Sequence, residues 1–155
     1  MKCSMCGGST SEVKEAKKAK YRDEIVEVVT ELFRCDSCKE GFVTPKQMQL
    51  HVRAVKNEVR KKYGLLAPER IAAIRKKLGL TQSELEGVLD AGSKVVVRWE
   101  SGKVIQSGGH DNMLRLLDQD PSILKSLRRI QELRSREQAR YVAAHSEGGK
   151  VACAP

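Results

Sequence analysis

Cys3-Ser4-Met5-Cys6 and Cys35-Asp36-Ser37-Cys38 are two C-x-x-C pairs separated by 28 residues. Two residues between thiolates let one turn present both sulfurs to a single ion, and two such turns complete a tetrahedron. Four thiolates make a closed, redox-silent site, so the expected occupant is one structural zinc ion per chain. A rival set starts from Cys35, Cys38 and His51, with Phe42 and Met48 spaced as in a two-cysteine, two-histidine finger. Its second histidine is missing around Val55 to Asn57, whereas Cys3 and Cys6 close the site. The four-cysteine set is preferred, His51 is read as a surface histidine, and Cys153 as a free thiol.

A second group of residues has the chemistry to read a base pair. Thr81-Gln82-Ser83-Glu84-Leu85, a turn, and then Ser93 to Gly102 have the spacing of a helix-turn-helix. At 100° per residue, Val95, Val96 and Trp99 fall on one side of the later helix and should pack inward. Lys94, Val97, Arg98 and Ser101 fall on the other. Arg98 or Lys94 can address guanine O6 and N7, and Val97 can touch a thymine methyl. Gln82, at the start of the earlier helix, is placed to fix a phosphate, and Ser93 is read as the cap of the reading helix.

These residues need elements to hold them. Ile25 to Phe33 is rich in β-branched residues and reads as part of a short antiparallel sheet. Lys46 to Tyr63 reads as a basic linker helix closed by Gly64. Pro68 opens a helix that Gly79 ends, and Thr81 with Glu84 is a capping box for the next, Thr81 to Leu89. A third helix runs from Ser93 to Ser101. A fourth carries Met113, Leu114, Leu116 and Leu117, and a fifth begins at Pro121 and Ser122. Leu116, Leu117, Ile123 and Leu127 serve either a dimer surface or the domain's own core. The expected fold is mainly α with a small α+β zinc-binding part. It comprises a zinc module with linker helix over 1–64, a five-helix Cro-like helix-turn-helix domain over 65–134, and a basic, disordered tail over 135–155.

The bulk numbers agree with a polyanionic partner. The 155 residues carry a net charge of +9, with only 4% aromatics and 32% charged residues. From Arg53 to Leu78 there are nine Lys or Arg against two acids. No run of 18 apolar residues is present, so no membrane span is expected. The chain opens directly on Met1-Lys2-Cys3 without a signal-peptide pattern, which together with paired cysteines points to the cytoplasm. A closed thiolate site has no open coordination position, and no nucleophile, base and orienting group assemble, so the chain is not read as an enzyme.

The order of these motifs resembles the MqsA (YgiT-type) zinc-finger antitoxins. The resemblance is carried by Met1-Lys2-Cys3-Ser4-Met5-Cys6, Cys35 and Cys38, Leu65 to Ile71, Ile74 to Gln82, Arg98-Trp99-Glu100-Ser101-Gly102-Lys103 and Asn112 to Asp118, covering roughly residues 1–130. It implies a homodimeric antitoxin that binds zinc structurally, neutralises a neighbouring ribonuclease-type toxin and represses its own operon on double-stranded operator DNA. The family's base-reading asparagine and arginine fall on Lys94 and Arg98. The lysine departs from the family, so the family's operator does not carry over. A free-standing transcriptional regulator with the same zinc site and no toxin is the alternative.

Overall fold

The computed structural model describes residues 1–146. The N-terminal half is a long hairpin under a helix. Strand β1 (Thr10–Tyr21) pairs antiparallel with β2 (Glu24–Cys35), and the two-residue β3 (Gly41–Phe42) adds to the far side of β2. Register sets Val13 opposite Leu32 and Ala19 opposite Val26. On β2, Val26, Val28, Thr30 and Leu32 are buried in alternation, while Ile25 and Val29 face outward. That period of two is what a half-buried strand requires. β1, which the sequence reading did not foresee, carries Lys14, Lys17, Lys18 and Lys20 and occupies the sheet's edge. Lysines suit such a strand because they deter a further strand from pairing with it.

Helix α1 (Pro45–Lys62) crosses β2 and buries Val55 and Val59 against Val26 and Val28. Its start is locally fixed. The Thr44 hydroxyl accepts from the Gln47 amide, and the Gln47 side chain accepts from the Thr44 amide. Thus a reciprocal cap, with Pro45 at the first helical position, begins the helix the sequence places at Lys46.

Five further helices follow: α2 (Pro68–Lys77), α3 (Gln82–Val88), α4 (Val95–Glu100), α5 (Gly108–Gln119) and α6 (Ile123–Ser146). Their core contains Ile71, Ile74, Leu80, Leu85, Val88, Val96, Trp99, Leu114 and Leu117. Leu117 is fully buried there, and Ile123 and Leu127 pack against the same core, so only Leu116 of the proposed dimer set stays exposed. Polar links brace it. Asp111 on α5 accepts from the Leu66 amide at 2.7 Å and from Arg115 at 2.7 Å, and its carboxyl is held below the usual range. Burial opposes that ionisation, but Arg115, the Leu66 amide and Gln106 outweigh it.

α6 differs most from expectation. Order was expected to end near residue 134, yet the helix continues to Ser146, with every residue from Glu132 to His145 exposed. The expected disordered end from Glu147 to Pro155, and Cys153, lie outside the described residues.

Between the halves, Arg60 on α1 is buried to 2% exposure and donates to the Asn57 side chain and, at 2.8 Å, to the Val104 carbonyl. Ile105 packs against the α1–β2 cluster. Burial lowers the affinity of Arg60 for its proton, and Tyr21 and Glu69 oppose that effect.

Candidate metal centre and exposed helix α4

The four sequence-predicted cysteines converge. Their sulfurs all lie within 4.8 Å of one another, with Cys3 Sγ 3.7 Å from Cys38 Sγ and Cys6 Sγ 3.4 Å from Cys35 Sγ. Each pair sits on a tight turn. The Gly7 amide returns to the Cys3 carbonyl at 2.9 Å, and the Lys39 amide to the Cys35 carbonyl at 3.1 Å. Gly7 and Lys39 both take positive φ to close these turns. Gly8 was not singled out by sequence, but a Cβ there would meet Ser37 Oγ at 2.8 Å and Cys35 Sγ at 3.2 Å. Only the missing side chain lets the two turns approach.

The thiols differ in acidity. The Cys38 amide, with help from Ser37 and Cys6, brings Cys35 down to about 6 against the cost of burial. At Cys38 the Glu40 amide favours the thiolate, yet desolvation and the sulfurs of Cys35, Cys6 and Cys3 push it up to about 12. Four adjacent thiols cannot all ionise unaided, and a cation resolves that repulsion. His51 stays apart from the set, its Nδ1 paired with Thr30 Oγ1 at 2.8 Å on β2.

On α4 the two faces divide as the helical spacing requires. Val96 and Trp99 are buried and Val95 is half-buried, whereas Lys94, Arg98 and Ser101 are exposed and Val97 is 41% exposed. Trp99 also meets the His110 ring of α5 at a tilt, with centroids 5.0 Å apart and planes at 52°. Gln82 is half-buried, and its amide donates to Glu100 at 2.7 Å. Glu100 in turn receives both Arg75 Nε at 2.6 Å and Arg75 Nη2 at 3.1 Å, tying α2, α3 and α4 together.

The helix begins later than expected. Ser93 lies exposed in the preceding turn, and Lys94 occupies the cap position with φ +60° and no side-chain cap hydrogen bond. The missing cap is supplied from α3, where the buried Glu86 carboxylate accepts from the Val96 amide at 3.0 Å. Glu86 had no role assigned from sequence. Its signal was a carboxylate on the inward side of a helix, which must find a donor. Glu86→Ala should leave that amide unsatisfied and lower unfolding stability by about 1–3 kcal/mol, while Glu86→Gln stays close to native. Urea titration followed by Trp99 fluorescence measures both, and an unchanged Ala variant would remove the capping role.

A four-thiolate centre on a small sheet, coupled to a helical unit that holds one short helix outward, defines a two-part protein with a candidate metal site. The family profile described as antitoxin component of bacterial toxin-antitoxin system, MqsA, matches residues 1–128, and the chain belongs to that family. It is 28% identical over 134 residues to Antitoxin MqsA of Escherichia coli (strain K12), covering 83% of this chain and 100% of that protein. Among the described residues, no helix is long and apolar enough to cross a membrane.

Proposed function

We propose that this protein is a cytoplasmic antitoxin that neutralises a toxin encoded beside it, of the ribonuclease type, and represses its own operon by sequence-specific DNA binding. Family membership supports the antitoxin role. The observation that carries the DNA reading is the outward set on α4. An exposed Val97 beside exposed Lys94, Arg98 and Ser101 gives an apolar contact flanked by donors, on a helix clamped from behind by Glu86 and Glu100.

In this reading α3 and α4 act as a helix-turn-helix, α4 enters the major groove, and Arg98 takes a guanine edge in two hydrogen bonds. Lys94 and Ser101 extend the contact, and Ser93 lies at the edge of it. Gln82 has its amide engaged by Glu100, which leaves the N-terminal amides of α3 as the phosphate contact at that point. Two copies bind a palindromic site as a homodimer.

The thiolate site fits one zinc ion. Tetrahedral zinc at about 2.3 Å from each sulfur demands sulfur separations of about 3.8 Å. The 3.4 and 3.7 Å pairs lie near that separation, and all four sulfurs fall within 4.8 Å of one another. Cys3, Cys6, Cys35 and Cys38 would hold the ion, which supplies a structural cross-link and no reaction.

Arg98→Ala should weaken binding to the chain's own promoter by about 1–3 kcal/mol and flatten its preference over random duplex. Its affinity for DNA should still fall with salt, because counterions are released at each remaining phosphate contact. Footprinting that shows unchanged preference would overturn the assignment. For the antitoxin role, co-expression should restore growth to cells expressing the adjacent small gene; absence of rescue would overturn that part.

A further inference from the structure

Helix α6 continues to Ser146, past the family match that ends at residue 128, and its two faces differ in charge. At about 100° per residue, Leu127, Gln131 and Arg134 share the face turned toward the body. Leu127 packs on the helical core, Gln131 donates to the Gly87 carbonyl, and Arg134 pairs with Asp90 at 2.8 Å. The opposite face, about 120° wide, presents Lys125, Arg128, Arg129, Arg136 and Arg140 with the single acid Glu132, all of them exposed. Among the described residues, Lys125, Arg129, Arg136 and Arg140 have no ion-pair partner. Like charges one turn apart, as in Lys125–Arg129 and Arg136–Arg140, cost a merely solvated helix stability. An anionic partner along the stripe removes that repulsion.

The stripe is continuous with the elements that face the duplex in the reading proposed above. Arg128 stands close enough to the first turn of α3 to favour the Glu84 carboxylate, after the Thr81 amide and hydroxyl. Gln131 then reaches Gly87 near the end of α3, and Arg134 holds Asp90 in the turn that leads to α4. α6 therefore runs alongside α3 in the same direction. Its cations begin beside the α3 amides that take a phosphate in that reading and extend beyond the entry to α4.

We infer that the outward face of α6 is a second DNA-contact surface, which binds the sugar-phosphate backbone of the duplex flanking the segment read by α4. The inference rests on the duplex reading of α4 and adds a surface that α4 does not supply. From Lys125 to Arg140 the helix rises about 22 Å. A duplex presents one negative charge for about every 1.7 Å of its axis, so phosphates are available along the whole stripe. Long cationic side chains on one face neutralise phosphates and carry no base information, so the stripe raises affinity for any duplex and leaves the choice of sequence to Arg98.

The test measures affinity of the full chain for its own promoter and for a random duplex of equal length, by fluorescence anisotropy over a range of salt. The variant replaces Lys125, Arg129, Arg136 and Arg140 together by glutamine, an exposed and helix-compatible change that circular dichroism verifies. Its slope of log affinity against log salt should be shallower than native by about 2–4, from the phosphates no longer neutralised. Affinity for both duplexes should fall by at least about tenfold at low salt, with the ratio between them unchanged. Replacing the three arginines by lysine should keep the native slope. A control with Lys14, Lys17, Lys18 and Lys20 of β1 replaced by glutamine removes the same net charge and should keep it too. Native binding with promoter preference, but no change of slope in the α6 variant, would overturn the stripe and leave the α4 reading standing. An equal loss in the β1 control, or a loss in the lysine version, would also overturn the stripe. A native chain that binds no duplex would overturn the α4 reading, and this surface with it.

Discussion

Replacing Cys35 by serine, or stripping the metal with a chelator, should unfold the N-terminal half while the α2–α5 core stays folded. The reason is the thinness of the first core. Its buried cluster holds Val26, Val28, Val55 and Val59, whereas the second cluster holds ten residues including Trp99. A structural zinc bound by thiolates contributes apparent binding energy of about 10–16 kcal/mol at neutral pH, at least comparable to the roughly 6–12 kcal/mol from burying four valines. Cys35 is fully buried, so a serine there also leaves a hydroxyl inside without the ion. The single tryptophan makes the outcome readable. Far-ultraviolet circular dichroism should lose its strand component while Trp99 fluorescence holds. Because Cys38 stands at about 12 without a metal, binding at neutral pH should also release protons. A metal-free chain with native circular dichroism would refute the structural role of the site.

Glu100→Ala should destabilise the helical half by about 2–3 kcal/mol, the cost of leaving a largely covered charged partner without its hydrogen bonds. The Arg75 and Glu100 side chains are only 14% and 10% exposed, and Glu100 is also the acceptor for Gln82. Without the carboxylate, Arg75 keeps only the Leu80 carbonyl, and α4 loses its tie to α2 and α3. The pH dependence has a definite sign. Burial opposes ionisation of Glu100, but Arg75 and Gln82 prevail and its carboxyl is held below the ordinary value. Its contribution is therefore complete above the unfolded carboxylate value of about 4.3 and is lost as pH falls through the lower folded value. Acid titration followed by Trp99 fluorescence should show a shallower loss in Glu100→Gln than in the native chain. A Glu100→Ala variant within 1 kcal/mol of native stability would refute the clamp.

Local signals were legible where the chemistry is local. The Thr81–Glu84 capping box, Pro68 at a helix start and Gly79 at a helix end stand where the sequence places them. The cysteines converge because their paired spacing allows few other outcomes. The inward and outward faces of α4 follow from one angle per residue. Two of the misses depend on residues distant in sequence. β1 reads as a charged, alanine-containing stretch by itself, and it becomes a strand through its twelve-residue register with β2. Ser93 is a fair cap by type, but Glu86 from α3 reaches the Val96 amide instead. Falling apolar density after Leu133 suggested an end to order, yet the helix runs on to Ser146 with Glu132 to His145 exposed.

Arg60 and Ile105 carry a practical consequence for anyone who cuts this chain in two. Division after Gly64 would strand a guanidinium whose acceptor is the Val104 carbonyl and would uncover the valines that Ile105 shields. In packing, residues 104 and 105 are a graft from the second half onto the first. A dissection that respects the physics would carry that graft along, or replace Arg60 and the exposed valines with polar residues before the halves are studied separately.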